Sequence, residues 1–116
     1  MSEVSITVAG AQRSVPAGTT AAELFAEDRA VIAARAAFAE AWDGTAPVDM
    51  GVGGSIPFIA TFQEMFPKAS VLVTGVEDPD ARAHGPNESL HLGEFAKVCL
   101  AEALLLRNVA QQVQPG

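Results

Sequence analysis

Polar and hydrophobic residues alternate at the start of the chain. Three β-branched apolar residues alternate with Ser and Thr across Val4–Val8, which predicts a half-buried strand. A short Ala-Gly-Ala turn follows, and Gln12–Val15 has the pattern of a returning hairpin strand. Thr20 precedes Glu23 by three residues, the spacing of a capping box, and so predicts a short helix that ends near Asp28.

The pattern changes to helical spacing at Arg29–Trp42. The four residues Ala30–Ala33 alone are compatible with a strand, but the whole segment favours a helix. Gly44 stands where a helix end often needs a left-handed residue. The predicted apolar face consists of Val31, Ala34, Phe38, Ala41 and Trp42.

A β-α-β-α order is predicted for the rest of the chain. Val48–Met50 and Val71–Thr74 have the composition of short strands, expected to be parallel. Ser55 is expected to cap a helix that runs to Phe66, with Pro57 in its first turn. Its expected buried face includes Ile56, Ile59, Ala60 and Met65. The fold class is therefore α/β, an N-terminal β-hairpin plus helix followed by a β-α-β-α unit.

Glu94–Gln112 is the strongest predicted helix. A mostly polar stripe runs along it, and a wide apolar arc covers most of the remainder, which implies burial of that arc under a sheet or a partner. Cys99 lies in the arc and is expected to be a buried small hydrophobe. The stripe consists of Glu94, Lys97, Ala101, Leu105, Asn108 and Gln112, and the arc of Phe95, Val98, Cys99, Leu100, Leu104 and Leu106.

Composition narrows the class of protein. The 116 residues fit one ordinary domain, and the net charge of −7 argues against general nucleic-acid binding. One cysteine excludes an internal disulfide framework, and no apolar run approaches the ~20 residues of a membrane span. The first residues lack the features of a signal peptide. A soluble cytoplasmic protein, not associated with a membrane, is expected.

Two segments carry candidate chemistry. Gly51–Ser55 lies between a predicted strand and a predicted helix, where backbone N–H groups suit a phosphate or carboxylate; a plain turn with a Ser cap is the alternative. Ala83–Glu88 lies in a loop after a predicted strand, where His84 could be a metal ligand or general base. A solvated polar loop is the alternative, because Asp78, Asp80, Glu88 and His91 match no standard metal-ligand spacing.

These motifs, in this order, resemble the C-terminal end of dizinc metallopeptidases. The resemblance runs from about residue 38 to 110 and is carried by Gly53–Phe62, Val71–Gly75 and Ala83–Glu88. The family is that of the amidohydrolases and dipeptidases related to acetylornithine deacetylase and succinyl-diaminopimelate desuccinylase. It implies a zinc-dependent hydrolase of peptide-like small substrates.

The resemblance implies a role for each motif. His84 corresponds to the last zinc ligand, and Asn87 and Glu88 to supporting residues beside it. Gly53, Gly54 and Ser55 correspond to the border of the substrate cleft. The other zinc ligands, the general-base glutamate and the lid domain of this family come from upstream segments that this sequence does not show. Residues 37–116 are therefore expected to be the C-terminal segment of a catalytic domain, inactive alone.

The first 35 residues resemble a different family. Ile6–Gly10 and Val15–Phe25, continued by Asp28–Arg35, are similar to the ubiquitin-like TGS domain of threonyl-tRNA synthetase. The resemblance implies half of a β-grasp fold over residues 1–36, a junction near 29–38 and a chimeric or truncated chain. It also implies an alternative function as a small module that binds protein or RNA. A third hypothesis is a homo-oligomer formed through an exposed sheet edge.

Overall fold

The computed structural model describes residues 2–8, 11–20, 23, 28–50 and 56–113, with the backbone only at Val8, Ala11 and Val113. These residues form two compact units, each described by itself below. The first unit comprises Met1–Asp28 and Asp49–Val73. The second unit comprises Arg29–Val48 and Thr74–Gly116.

A β-hairpin opens the first unit and confirms the hairpin predicted from the alternating pattern. Strand β1 (Glu3–Val8) pairs antiparallel with β2 (Ala11–Pro16), in a register that sets Glu3 opposite Pro16. Ser14 Oγ donates a hydrogen bond of 2.6 Å to Glu3 Oε2 across the strands. Val15 is buried.

The predicted capping box follows the hairpin. The Glu23 N–H donates to Thr20 Oγ1 at 3.2 Å, and the Thr20 N–H donates to Glu23 Oε2 at 2.9 Å. Two backbone donors at a helix start are thus satisfied reciprocally. The predicted continuation through residues 24–27 lies outside the described residues.

Helix α1 (Arg29–Ala41) belongs to the second unit and confirms the helix predicted there. It ends in a Schellman arrangement, because the Gly44 N–H donates to the Ala39 carbonyl at 2.7 Å. Gly44 has the positive φ expected of it (+91°), and Asp43 before it is also left-handed (+51°). This pair of left-handed residues stops the helix sharply.

Helix α2 (Pro57–Met65) lies in the first unit. Its N-cap position is Ile56 and not the predicted Ser55, which itself lies outside the described residues. Pro57 fits the first turn because it lacks an N–H. The predicted buried face is also wrong, since the helix has no buried residue. The rings of Phe58, Phe62 and Phe66 instead form a row with centroid separations of 5.7 and 4.9 Å.

Helix α3 (Leu92–Val113) confirms the longest predicted helix and packs antiparallel on α1. The pairing is antiparallel because Trp42 Nε1 donates to Glu94 and Gln112 Nε2 donates to the Arg29 carbonyl. Asn108 Nδ2 also donates to the Ala33 carbonyl at 3.2 Å. The core between the helices is built from small side chains, the buried residues being Ala33, Ala34, Ala37, Ala41 and Ala101.

The mostly polar stripe of α3 faces α1, and the apolar arc predicted to be buried is largely exposed. Phe95, Leu100 and Leu106 have exposed fractions of 44%, 49% and 73%, whereas Val98 and Leu104 are half-buried beside the α1 contact. Cys99 is exposed, so its predicted burial is also wrong. The stripe centred on Ala101 packs on the alanines of α1, because small residues on both helices permit a close approach of the two helices.

The two predicted parallel strands do not form. Residues 48–50 and 71–74 have no regular secondary structure, and Val48 and Met50 are 85% and 73% exposed. A strand requires a hydrogen-bonded neighbour, and the described residues supply no partner for either segment. The described fold is mixed α/β, with a two-stranded antiparallel sheet and helices in place of the predicted β-α-β-α unit. No helix in the described ranges is long and apolar enough to span a membrane.

Candidate functional site

The segment from Asp78 to His91, here called the His84 loop, carries the predicted metal ligand. Asp78 Oδ1 accepts the Asp80 N–H at 2.8 Å, and the Asp78 carbonyl accepts the Ala81 N–H at 3.0 Å. The Ser89 N–H donates to the Ala81 carbonyl at 2.9 Å and so closes residues 81–89 into a compact loop. Ala81 anchors this loop because its side chain is buried.

Three residues of the His84 loop have left-handed backbone conformations. Arg82, His84 and Asn87 have φ angles of +55°, +62° and +60°. Such angles are uncommon outside glycine and cost of order 1 kcal/mol or more per residue, least for Asn. Gly85 permits the close turn, since a Cβ there would lie 3.1 Å from the Arg82 carbonyl oxygen. The local hydrogen bonds thus hold His84 in a specified and unusual backbone geometry.

The donor set does not fit a zinc centre. His84, Asn87 and Glu88 are all exposed. Across the described residues, no group of three or more His, Cys, Asp or Glu side chains is arranged to hold a metal ion. A protein zinc site needs at least three such ligands, so no chemical step is assigned to a metal here. His84 is left as a single imidazole on a well-specified loop.

Glu88 lines a groove at the base of the loop. The groove has a volume of about 350 Å³, and Glu77 contributes a second carboxylate. Val76, Ser89 and Leu90 complete the lining. The described arrangement therefore brings Glu88 together with Glu77, while His84 is not part of that lining.

His91 caps helix α3. Its Nδ1 accepts the Glu94 N–H at 3.1 Å, as expected of an N-cap side chain. Gly93 leaves room for the ring, because a Cβ at that position would lie 3.1 Å from His91 Cε1. His91 lies at the surface, directly before the first residue of the helix. Its imidazole is engaged in helix capping.

A charged cluster at the start of α3 was missed by sequence analysis. Trp42 Nε1 donates to Glu94 Oε2 at 3.0 Å, and Lys97 Nζ lies 3.2 Å from Glu94 Oε1. The Lys97 ammonium also lies 5.9 Å from the centroid of the Trp42 ring, which stacks on Phe38. The indole hydrogen bond, together with Lys97, lowers the pKa of Glu94 below its ordinary value of 4.5. The three-residue spacing of Glu94 and Lys97, which is typical of an ion pair on a helix, is the sequence feature that could have indicated this cluster.

The predicted cleft residues Gly53, Gly54 and Ser55 lie outside the described residues. Their predicted contact with a substrate therefore stays a prediction, as do the roles expected of Asn87 and Glu88.

A comparison with curated proteins finds one relevant similarity. The chain is 46% identical over 57 residues to a cysteinylglycine-S-conjugate dipeptidase of Corynebacterium striatum. The matched region is 49% of this chain and 12% of the dipeptidase, so the chain spans about an eighth of the length of that relative. No protein-family profile matches, and no solved structure matches.

The match supports one part of the interpretation drawn from the sequence, namely the likeness of the C-terminal region to dipeptidases. It supports a dipeptidase-like C-terminal region and with it the likeness to metal-dependent peptidases. The TGS resemblance of the first residues, and with it the junction between two families, receives no support from these comparisons. The chain therefore contains a region similar to part of a dipeptidase.

Proposed function

We propose that residues 37–116 act as the C-terminal segment of a zinc-dependent dipeptidase catalytic domain, to which the segment supplies the His84 loop. The observation that carries this proposal is the identity of 46% over 57 residues to a dipeptidase. The left-handed φ of His84 (+62°) on a loop closed by local hydrogen bonds supports it. A metal ligand is effective only when its backbone is held in place.

In such a domain, His84 would be one zinc ligand and Asn87 and Glu88 would support it. The remaining ligands of a zinc centre would come from elsewhere in the domain. Gly53, Gly54 and Ser55 would border the peptide-like substrate, including S-conjugates of cysteinylglycine. The chain alone is proposed to be inactive because the described residues offer no set of three metal ligands.

A domain chimera tests the contribution of this segment. Residues 38–110 replace the corresponding part of the Corynebacterium dipeptidase, and hydrolysis of a cysteinylglycine S-conjugate is measured with added zinc. We expect hydrolysis by the chimera and its loss, by at least about a hundredfold, on His84→Gly. Glycine adopts a positive φ without strain, so this variant removes the imidazole while preserving the loop.

The matched control is His91→Asn in the same chimera. It removes the other histidine of the chain but keeps a good N-cap on α3. Activity that survives His91→Asn and is lost in His84→Gly supports the proposal. A folded chimera whose activity is unchanged by His84→Gly would refute the ligand role. Dipeptide hydrolysis by the isolated chain would refute the proposed inactivity.

A second candidate function is a small binding module formed by the N-terminal residues. The hairpin β1–β2 and the capping box of Thr20 and Glu23 are the elements on which that candidate rests. The first 35 residues contain four acidic and three basic side chains, so they offer little attraction for phosphates. Filter binding of tRNA at physiological salt tests the RNA form of this candidate, and retention of tRNA by the chain would favour it.

A further inference from the structure

Arg82 holds a backbone conformation that its residue type does not favour. Its φ of +55° lies in the left-handed region, where glycine is free of strain. Asn and His are the types of residue enriched there among the others, so Asn87 and His84 fit the preference and Arg82 does not. The arginine is present at a local cost that glycine would remove. Its side chain is therefore expected to contribute something that glycine cannot.

The side chain of Arg82 contributes no contact to the fold. It is exposed, and within the part of the chain that the structure describes it takes part in no hydrogen bond, ion pair or ring contact. The turn at residues 82–85 uses only its backbone, because the Gly85 N–H donates to the Arg82 carbonyl at 3.0 Å. By contrast, the guanidinium of Arg107 on α3 donates to Glu40 at 2.8 Å. The guanidinium of Arg82 is thus available to a ligand.

Arg82 is also the one Lys or Arg of the His84 loop. The loop carries three carboxylates, those of Asp78, Asp80 and Glu88, and none of them pairs with Arg82 in the described structure. An anionic group that approaches the loop is therefore attracted by Arg82 alone. A guanidinium is planar and cationic, and it binds a carboxylate through two parallel hydrogen bonds.

We propose that Arg82 binds the free carboxylate of the dipeptide substrate. The inference rests on the proposed function, in which the reacting amide bond lies beside His84. Two residues of chain separate Arg82 from His84, so their Cα atoms lie at most about 7 Å apart. The carboxylate of a dipeptide lies one residue, about 4 Å, beyond its scissile carbonyl. An arginine two residues from His84 is therefore at the right distance to select substrates that end in a free carboxylate.

Two substrates that differ in charge test this role in the dipeptidase chimera described above. They are S-methyl-cysteinylglycine and its C-terminal amide, and release of S-methylcysteine is measured with added zinc. Arg82→Gly removes the guanidinium where glycine adopts the required φ without strain. We expect the KM for the carboxylate substrate to rise at least about tenfold, as for the loss of a charge-assisted hydrogen bond.

The expected change is confined to the binding of one substrate. The kcat should change little, because the carboxylate carries the same charge in the ground state and in the transition state. The KM for the amide should be the same with and without Arg82. Arg82→Lys keeps the charge but loses the paired hydrogen bonds, so its KM for the carboxylate substrate should lie between the other two.

The matched control is Arg107→Gln in the same chimera. It removes an exposed guanidinium of the same charge, one that is already paired with Glu40. The KM for both substrates should stay unchanged in this variant. Circular dichroism establishes that each chimera is folded.

The possible results separate this inference from the proposed function. A selective rise in KM for the carboxylate substrate in Arg82→Gly, absent from Arg107→Gln, supports the role of Arg82. An active chimera in which Arg82→Gly affects both substrates equally, or neither, would overturn that role and leave the role of His84 intact. An equal effect of Arg107→Gln would also overturn it. A chimera that is inactive, or indifferent to His84→Gly, would refute the proposed function and this inference with it.

Discussion

The residues that join α1 to α3 act mainly through single polar contacts at the ends of the helix pair. Glu94 accepts hydrogen bonds from both Trp42 and Lys97 at one end. Gln112 donates to the Arg29 carbonyl at the other end. Because the core between them is built from alanines, which bury little area each, such contacts carry a larger share of the specificity than in a leucine-rich pair.

The lowered pKa of Glu94 predicts that acid weakens the helix pair. A carboxyl whose pKa is lower in the folded than in the unfolded protein stabilises the folded state. This stabilisation is complete at pH values above the unfolded-state pKa, near 4.5, and it is lost as the pH falls through the lower folded-state pKa. Urea unfolding followed by Trp42 fluorescence at pH 7 and at pH 3 measures this loss.

Glu94→Gln is the matched variant for that experiment. Its amide oxygen still accepts from the indole, but it does not titrate. Both proteins keep His91, so a smaller loss of stability on acidification in Glu94→Gln isolates the carboxylate. An identical loss in the two proteins would contradict the assigned role of Glu94.

The helix cap at His91 predicts a second effect at the scale of one residue. His91→Ala should reduce the free energy of unfolding by about 0.5–2 kcal/mol, because the Glu94 N–H loses its acceptor. His91→Asn should restore most of that loss, since Asn is a favoured N-cap. Urea unfolding at pH 7 checks both, and equal stability of the Ala variant and the native chain would show that the cap contributes nothing.

At the scale of elements, the contact between α1 and α3 depends on small side chains. Ala37 and Ala101 are completely buried there. Ala37→Leu should destabilise the second unit by about 1–3 kcal/mol, because the added atoms force the helices apart. Ala36→Leu, one residue away and exposed, should change stability by less than about 0.5 kcal/mol. Thermal unfolding by circular dichroism compares them, and equal effects would contradict the described packing.

The elements that could be predicted from the sequence are those defined by local patterns. The hairpin follows from alternation over a few residues, and α1 and α3 follow from helical spacing. The strands expected at 48–50 and 71–74 could not be established in this way, because a strand depends on a distant partner. Which side of α3 is exposed could not be predicted either. Hydropathy favours burial of the apolar arc, whereas the alanines of α1 pack on the opposite side of the helix.

The distinction between local sequence patterns and contacts that depend on distant residues also applies to the candidate site. The sequence singled out His84, and the structure places it on a closed loop with left-handed residues. The sequence could not predict that Glu88 would line a groove with Glu77, because that juxtaposition arises from the return of the chain at residues 76–90. The capping role of His91 likewise depends on where α3 begins.

At the scale of the whole molecule, the described chain has little apolar core and much apolar surface. Its buried residues are alanines and Val15, whereas large side chains such as Phe58, Met65 and Leu106 are exposed. Exposed apolar surface of this extent is typical of a protein that has partners. Packing within the proposed catalytic domain would account for how such surface is covered.

The most direct test of the central claim is a calorimetric titration of the chain with zinc. The account predicts no binding in the micromolar range at neutral pH, because His84 is not joined by two further ligands in the described residues. His84→Gly and His91→Asn should behave like the native chain at these concentrations. Tight stoichiometric binding that is lost in His84→Gly and kept in His91→Asn would contradict the account and show that the chain holds a zinc centre of its own.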